Sequence, residues 1–346
     1  MSRPRQLLVT GGAGFIGSTF VRQMLARDPE LHIVVLDKLT YAGNLANLEE
    51  VAQDPRFQFV HGDINDAPLV NDLAAKADAI VNFAAESHVD RSILGPQAFI
   101  ATQVNGTHVL VEAAHRHGCA RFLQVSTDEV YGEIPEGSVR EDAPLKPRSP
   151  YAASKAAADL LVLAYHTTYD TPVVVTRGSN TYGPHQYPEK LIPLFVTNAI
   201  DEEPLPIYGD GLQVRDWLHV DDHAAAVALV LERGALGGIY NIAASEERTN
   251  LDLTKRVLEL LDRPVDLIRH VTDRPGHDRR YSIAANRLRD LGWEPRWRLD
   301  EGLAHTVRWY QDHPEWWRPL KSGEYLEYYQ RQYGERLANS PEGSER

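Results

Sequence analysis

The chain has 346 residues, 43% apolar and 25% charged, a globular composition that excludes a mainly disordered protein. Its 36 Lys and Arg against 49 Asp and Glu leave a net charge of −13, which argues against nucleic acid as a partner. A single cysteine, Cys119, excludes an intrachain disulfide and a cysteine-based zinc site, and no metal is expected. The N-terminal pattern is not that of a secretory signal, and no apolar run reaches the ~18 residues that span a bilayer. The expectation is a soluble cytoplasmic protein with no membrane partner.

From residue 6 to about 178, apolar runs alternate with helical stretches. The runs at 7–10, 33–37, 57–60, 79–83, 122–125 and 173–176 are rich in β-branched residues. Several are nearly continuous in apolar character, as strands buried on both faces of a parallel sheet are. Helices are predicted at 16–27, 68–76, 104–117 and 152–169. This rhythm predicts an α/β fold, a Rossmann-type doubly wound parallel sheet over residues 1–182. Beyond residue 183 Pro and Gly become frequent. Strands are expected there at 205–208 and 239–242, and helices at 191–201, 222–233, 251–262 and 300–312. Residues 183–334 thus read as a smaller α+β substrate lobe, with a soft boundary because a strand and a helix can return to the first sheet. Residues 335–346 read as a polar, frayed tail.

The first strand runs into Gly11, Gly14 and Gly17, spaced three apart before a helix. Such a loop makes a tight turn, brings backbone close to a pyrophosphate and aims free helix N–H groups at it. About twenty residues on, the second strand ends at Asp37, where a carboxylate can accept from both ribose hydroxyls of an adenosine. That favours NAD over NADP, although Lys38 beside it could meet a 2′-phosphate. Asp63 ends the third strand, where it could reach an adenine amine. Ala84, Ala85 and Ser87 end the fourth, where small residues leave room for a nicotinamide ribose.

Tyr151 and Lys155 are four residues apart, which places both on one helix face. The ammonium can lower the phenol pKa and hold the ribose, allowing the tyrosine to act as a base. Ser126 and Thr127, which close the fifth strand, offer hydroxyls to a reacting alcohol. His219 with Asp221 and Asp222 could be taken for metal ligands, but an Asp pair capping a helix is the simpler reading.

These residues make the chain resemble the short-chain dehydrogenase/reductase superfamily, in its extended branch that modifies sugar nucleotides. The segments 126–132, 85–92, 182–193 and 274–281 are similar to the dTDP-glucose 4,6-dehydratase family. The resemblance implies tightly bound NAD, recycled within each turnover, and dTDP-glucose or a related nucleotide sugar as substrate. It implies that Tyr151, assisted by Thr127 and Lys155, takes the carbon-4 hydroxyl proton as hydride leaves for NAD. Glu129 then serves as base at carbon 5 and Asp128 as acid to the carbon-6 oxygen, before hydride returns to carbon 6. Because the acid must hold its proton near pH 7, burial and the neighbouring carboxylate should raise one pKa of this coupled pair.

The same resemblance adds Phe15, Ile16, Leu39, Thr40, Ile64, Thr102 and Thr181 to the cofactor site. It assigns Arg215 and Arg274 to the diphosphate, and Ser87, Asn180, Lys190 and Leu191 to the sugar and phosphate side. Pro206 and Tyr208 would surround the base, with Asn250, His277 and Tyr281 completing that end. Gly178 and Thr181 depart from the family pattern and leave the nicotinamide side open. A homodimer through the helices at 101–117 and 152–169 is also implied.

Four readings compete. A UDP-glucose 4,6-dehydratase would share every catalytic residue, since nothing at 206–208 reads thymine unambiguously. A 4-epimerase would not require Asp128 and Glu129 together, and a decarboxylase would tend to lack the adjacent Asp. A non-catalytic NAD-binding module predicts decay of Tyr151, Lys155 or the carboxylates, all of which are intact.

Overall fold

In the computed structural model, which describes residues 4–338 and residue 340, the apolar runs become strands, all largely buried except the one at 57–61, which lies at the sheet edge. These are β1 Gln6–Thr10, β2 His32–Asp37, β3 Phe57–His61, β4 Ala79–Asn82, β5 Arg121–Thr127 and β6 Val173–Gly178. Alternate residues feed opposite cores. Leu7, Val9 and Val174 pack with Phe20, Val21 and Met24 of the Phe15–Arg27 helix and Val227 and Leu231 of the Val220–Arg233 helix. Leu8, Val173 and Val175 face the other way, towards Val70, Leu110, Val111 and Val162 on helices Ala67–Ala74, Thr107–His117 and Pro150–Tyr169.

The later strands are β7 Asn180–Tyr182, β8 Leu205–Tyr208, β9 Val214–His219, β10 Ile239–Ile242, β11 Glu247–Thr249 and β12 Ile268–Val271. β10 joins the first six, giving a seven-stranded parallel sheet in the order β10-β6-β5-β4-β1-β2-β3. The order reverses between β1 and β4, which opens a crevice at the carboxyl ends of the strands. Above that edge, β11-β9-β7 and β12-β8 form two small sheets. Helices Leu191–Ile200, Asn250–Leu260 and Leu299–Asp312 close over them through Ile192, Val196, Leu253, Val257, Leu303 and Val307.

Several boundaries differ from the sequence expectation, each for a local reason. The helix expected at 104–117 begins at Pro96 and passes through a π-helical stretch, Ile100–Gly106, before Thr107–His117. The helix expected from 152 starts at Pro150, because Ser149 accepts from the Ala152 N–H at 3.1 Å and Pro suits the first turn. At the Val220–Arg233 helix the cap is His219, whose Nδ1 accepts from the Asp221 N–H at 3.2 Å, while Asp221 and Asp222 occupy the first turn. Residues 335–338 are not frayed. They form a helical turn, Glu335–Ala338, that follows Glu324–Tyr329 and a π-helical turn at Gln330–Gly334, and Leu337 packs against Leu194 and Tyr333. Residues 339 and 341–346 of the expected tail lie outside the described residues. No helix among the described residues is long and apolar enough to cross a membrane.

Candidate active site

A cavity of about 300 Å³ opens over the β1–β4 crevice, and a second of about 140 Å³ lies beneath the smaller sheets. Glu129, Asn180, Glu189 and Lys190 line both, so the two cavities meet at these side chains.

The first cavity begins at the glycine loop. Gly11 has φ +70°, and a Cβ there would lie 2.5 Å from the Ala84 backbone nitrogen, so only glycine lets β1 turn against the end of β4. Gly14 precedes the Phe15–Arg27 helix without a side-chain cap, which leaves the helix N–H groups free for an anion. Asp37 accepts from the Ala13 N–H at 2.9 Å and the Leu39 N–H at 2.8 Å, locking the loop to the end of β2. Burial nonetheless raises its pKa. Lys38 is held by Asp63 at 2.6 Å, which neutralises the cation that could otherwise greet a 2′-phosphate. These features fit a dinucleotide with a free adenosine ribose.

Of the residues the sequence assigns to the cofactor, Phe15, Ile16, Thr40, Ile64, Ala84, Ala85, Ser87, Thr102, Ser126 and Thr181 line this cavity with the glycines and carboxylates. Leu39 does not. At φ +52° its side chain packs against the core instead. Asp63 lines the cavity too, with Lys38 and Asn65 donating to its oxygens.

The strand ends are braced by groups with no motif to announce them. Buried Asn82 accepts from the Thr10 hydroxyl at 2.6 Å and donates to Gln124 at 2.8 Å, tying β1, β4 and β5 together. Gln103, in the π-helical stretch, donates to the Glu86 carbonyl at 2.9 Å and accepts from the Glu86 N–H at 3.3 Å, which fixes the segment after β4.

At the junction of the cavities, Thr127 ends β5 and its hydroxyl donates to Asp128 at 3.2 Å. Burial first, and the adjacent Glu129 charge second, push the Asp128 carboxyl up to about 8. Its Oδ2 is buried and has no partner among the described residues. Burial also raises Glu129, but Arg274, Arg215 and Lys190 pull it back. The pair therefore sets an acid that keeps its proton near neutral pH beside a carboxyl group whose upward shift three cations oppose.

Tyr151 and Lys155 line the same cavity on the first turns of their helix. The expected lowering of the phenol pKa is absent, because burial and the Glu129 charge drive Tyr151 upward. The Lys155 ammonium meanwhile donates to the Val125 carbonyl at 2.7 Å, and burial lowers its pKa to about 8. Behind it, the fully buried Asp159 pairs with Arg177 at 2.9 Å and favours the charged lysine.

The second cavity gathers Leu191, Pro206, Tyr208, Arg215, Asn250, Arg274, His277 and Tyr281 with Asn180 and Lys190. Arg215 is buried, stacks on Tyr281 at 4.3 Å and donates only to backbone carbonyls, with no ion-pair partner among the described residues. A buried guanidinium of this kind calls for an anion. Arg274 pairs with Asp90 at 3.0 Å, and the same carboxylate accepts from the Tyr208 hydroxyl at 2.9 Å. Gln332 in turn donates to the Tyr208 oxygen at 2.6 Å. Asp90, Glu189, Gln332, Tyr333 and His223 were all missed in the sequence, and the local hints were Asp90 within the 85–92 segment and Glu189 within the 182–193 segment.

The sheet order, the glycine loop and the Thr127–Tyr151–Lys155 set define a short-chain dehydrogenase/reductase of the extended kind. The chain belongs to the family described as GDP-mannose 4,6 dehydratase, whose model matches residues 8–306. It is 53% identical over 322 residues to a dTDP-glucose 4,6-dehydratase of Streptomyces niveus, covering 92% of this chain and 96% of that one. Among solved structures it resembles DesIV, a dTDP-glucose 4,6-dehydratase from Streptomyces venezuelae with NAD and dTDP bound. The TM-score there is 0.90 at 55% identity, over 91% of this chain and 100% of that one. A Bacillus anthracis dTDP-glucose 4,6-dehydratase in complex with NAD follows at 47% identity and TM-score 0.86, over 91% and 99% of the two chains.

Proposed function

We propose that this chain is an NAD-dependent lyase that converts dTDP-glucose to dTDP-4-keto-6-deoxy-glucose. The observation that carries the reading is the adjacent pair of buried Asp128 and half-buried Glu129, beside Tyr151 where the two cavities meet. Oxidation of an alcohol needs one base, whereas loss of water across carbons 5 and 6 needs an acid and a base more.

The glycine loop, Asp37 and the ends of β4 and β5 hold NAD, which supplies a two-electron acceptor and donor that is regenerated in each cycle. Tyr151 takes the carbon-4 hydroxyl proton. Since burial keeps its phenol protonated, it needs a cation beside it, and Lys155 supplies one by turning from the Val125 carbonyl into the cavity. Thr127 orients the reacting hydroxyl. Glu129, balanced by three cations, removes the carbon-5 proton that a carbon-4 ketone makes acidic. Asp128, with its pKa near 8, still holds the proton that the departing carbon-6 hydroxyl requires.

Arg215 and Arg274 hold the diphosphate, with the buried Arg215, which has no ion-pair partner among the described residues, making the stronger demand for an anion. Tyr208, Pro206, Asn250, His277 and Tyr281 enclose the base. We also infer a homodimer, because Leu94, Ile100, Leu160 and Tyr169 leave apolar surface exposed on the helices beside the sheet.

The test is to incubate the purified protein with dTDP-glucose or UDP-glucose without added NAD and to follow the alkaline absorbance of a 4-keto-6-deoxy sugar. Product from dTDP-glucose alone is expected. Product from UDP-glucose in preference would overturn the base assignment, and no product from either would overturn the reaction.

A further inference from the structure

Gly178 and Thr181, the two positions that depart from the family pattern, meet at one side chain that no motif had indicated. His223, on the Val220–Arg233 helix, is 2% exposed. Its ring lies over the end of β6, where a Cβ on Gly178 would fall 2.5 Å from Cε1 and 2.8 Å from Nε2. Its Nδ1 is 2.7 Å from the Thr181 hydroxyl oxygen. That hydroxyl donates its own proton to the Ser179 carbonyl at 3.1 Å. The threonine oxygen therefore accepts from the ring, and Nδ1 carries the imidazole proton. Burial lowers the His223 pKa to about 4, so the ring is neutral at working pH. Nε2 is then a bare acceptor, buried without a partner among the described residues, on a side chain that lines the cofactor cavity with Gly178, Ser179 and Thr181.

A buried acceptor without a donor is costly, and the orphan here lies over Gly178, which pairs with the catalytic Thr127 at the end of β5. The nicotinamide end of NAD offers two kinds of donor, its ribose hydroxyls and its carboxamide. Lys155 is the group placed to hold the ribose. We propose that His223, held as the Nδ1–H tautomer by Thr181, is a positioning residue that accepts a hydrogen bond from the carboxamide and fixes which ring face meets the sugar. One bound cofactor must serve carbon 4 and then carbon 6 from the same face, so a ring free to turn over would interrupt the cycle. Gly178 keeps the place for the imidazole that any larger residue would contest. The inference rests on the NAD-dependent reading above.

The test compares NAD with 3-acetylpyridine adenine dinucleotide, in which a methyl group replaces the carboxamide NH₂. Purified full-length protein is equilibrated with equal, saturating concentrations of both, and the bound ratio is read by chromatography after denaturation. Wild type should hold NAD over the analogue by about tenfold, the worth of one neutral hydrogen bond. His223→Leu should hold the two about equally. Thr181→Val, which releases the ring but keeps the cavity wall, should reduce the preference to about threefold. A preference that survives in His223→Leu, or in Thr181→Val if the first variant does not fold, overturns the inference. Equal binding by wild type overturns it too and leaves the dehydratase reading standing. Failure of wild type to bind either dinucleotide overturns both.

Discussion

Replacing Asp128 with Asn should stabilise the fold increasingly as pH rises, while abolishing dehydration. In the folded protein burial and Glu129 push this carboxyl up to about 8, whereas in the unfolded chain it titrates near 4. Below that value both states hold the proton and the group does not affect stability. As pH rises towards 8 the unfolded chain releases the proton and the folded one keeps it, so stability falls across this window and levels off above it. Each pH unit costs ~1.4 kcal/mol, so between about pH 5 and pH 7.5 the wild type loses about 3 kcal/mol from this residue. Asn stays neutral throughout and escapes the loss. Over 346 residues, with an unfolding entropy of ~2 cal/mol/K per residue, the melting temperature of Asp128→Asn should gain about 5 °C on wild type across that interval. Thermal melts of both proteins at the two pH values provide the assay. A gap that stays constant with pH, or narrows, would refute the assignment of a buried, protonated Asp128.

The same titration should appear in catalysis: kcat should decline above about pH 8, as Asp128 loses its proton and Lys155 its charge, and a profile flat through this range would contradict both roles. Asp63→Ala should free Lys38 and narrow the discrimination of NAD against NADP by roughly three- to tenfold, read as the ratio of bound dinucleotides. Gln332→Leu should raise the KM for dTDP-glucose about fivefold with kcat unchanged, because the lost hydrogen bond orients Tyr208 rather than the reacting carbons.

Residues that act through local pattern were legible in the sequence. The seven-stranded sheet follows from runs such as Ile33–Leu36 and Val173–Val175, whose apolar residues serve both faces. Gly11, Asp37 and the Tyr151–Lys155 spacing similarly report on geometry within one turn or one β-α unit. The rest depends on contacts that leave no local trace. Asp90 lies 184 positions from its partner Arg274, and Gln332 lies 124 from Tyr208. His223 reads as an ordinary helical residue until Gly178 and Thr181 are brought against it. The strands β7, β9, β11 and β12 were missed because they are short or carry charged residues, as in Val214–His219, where the lobe's packing overrides weak propensity. The phenol of Tyr151 illustrates a different limit. The sequence places a cation four residues away, but only the folded chain reveals that burial outweighs it and that Val125 holds the ammonium.

The central claim is that one bound cofactor oxidises carbon 4 and reduces carbon 6 of the same sugar. It is tested most directly by supplying dTDP-glucose deuterated at carbon 4, with no added NAD, and locating the label in the product by NMR. The account predicts deuterium at carbon 6 of a 4-keto-6-deoxy sugar. Label kept at carbon 4 of an epimerised sugar, or lost to water, would contradict it.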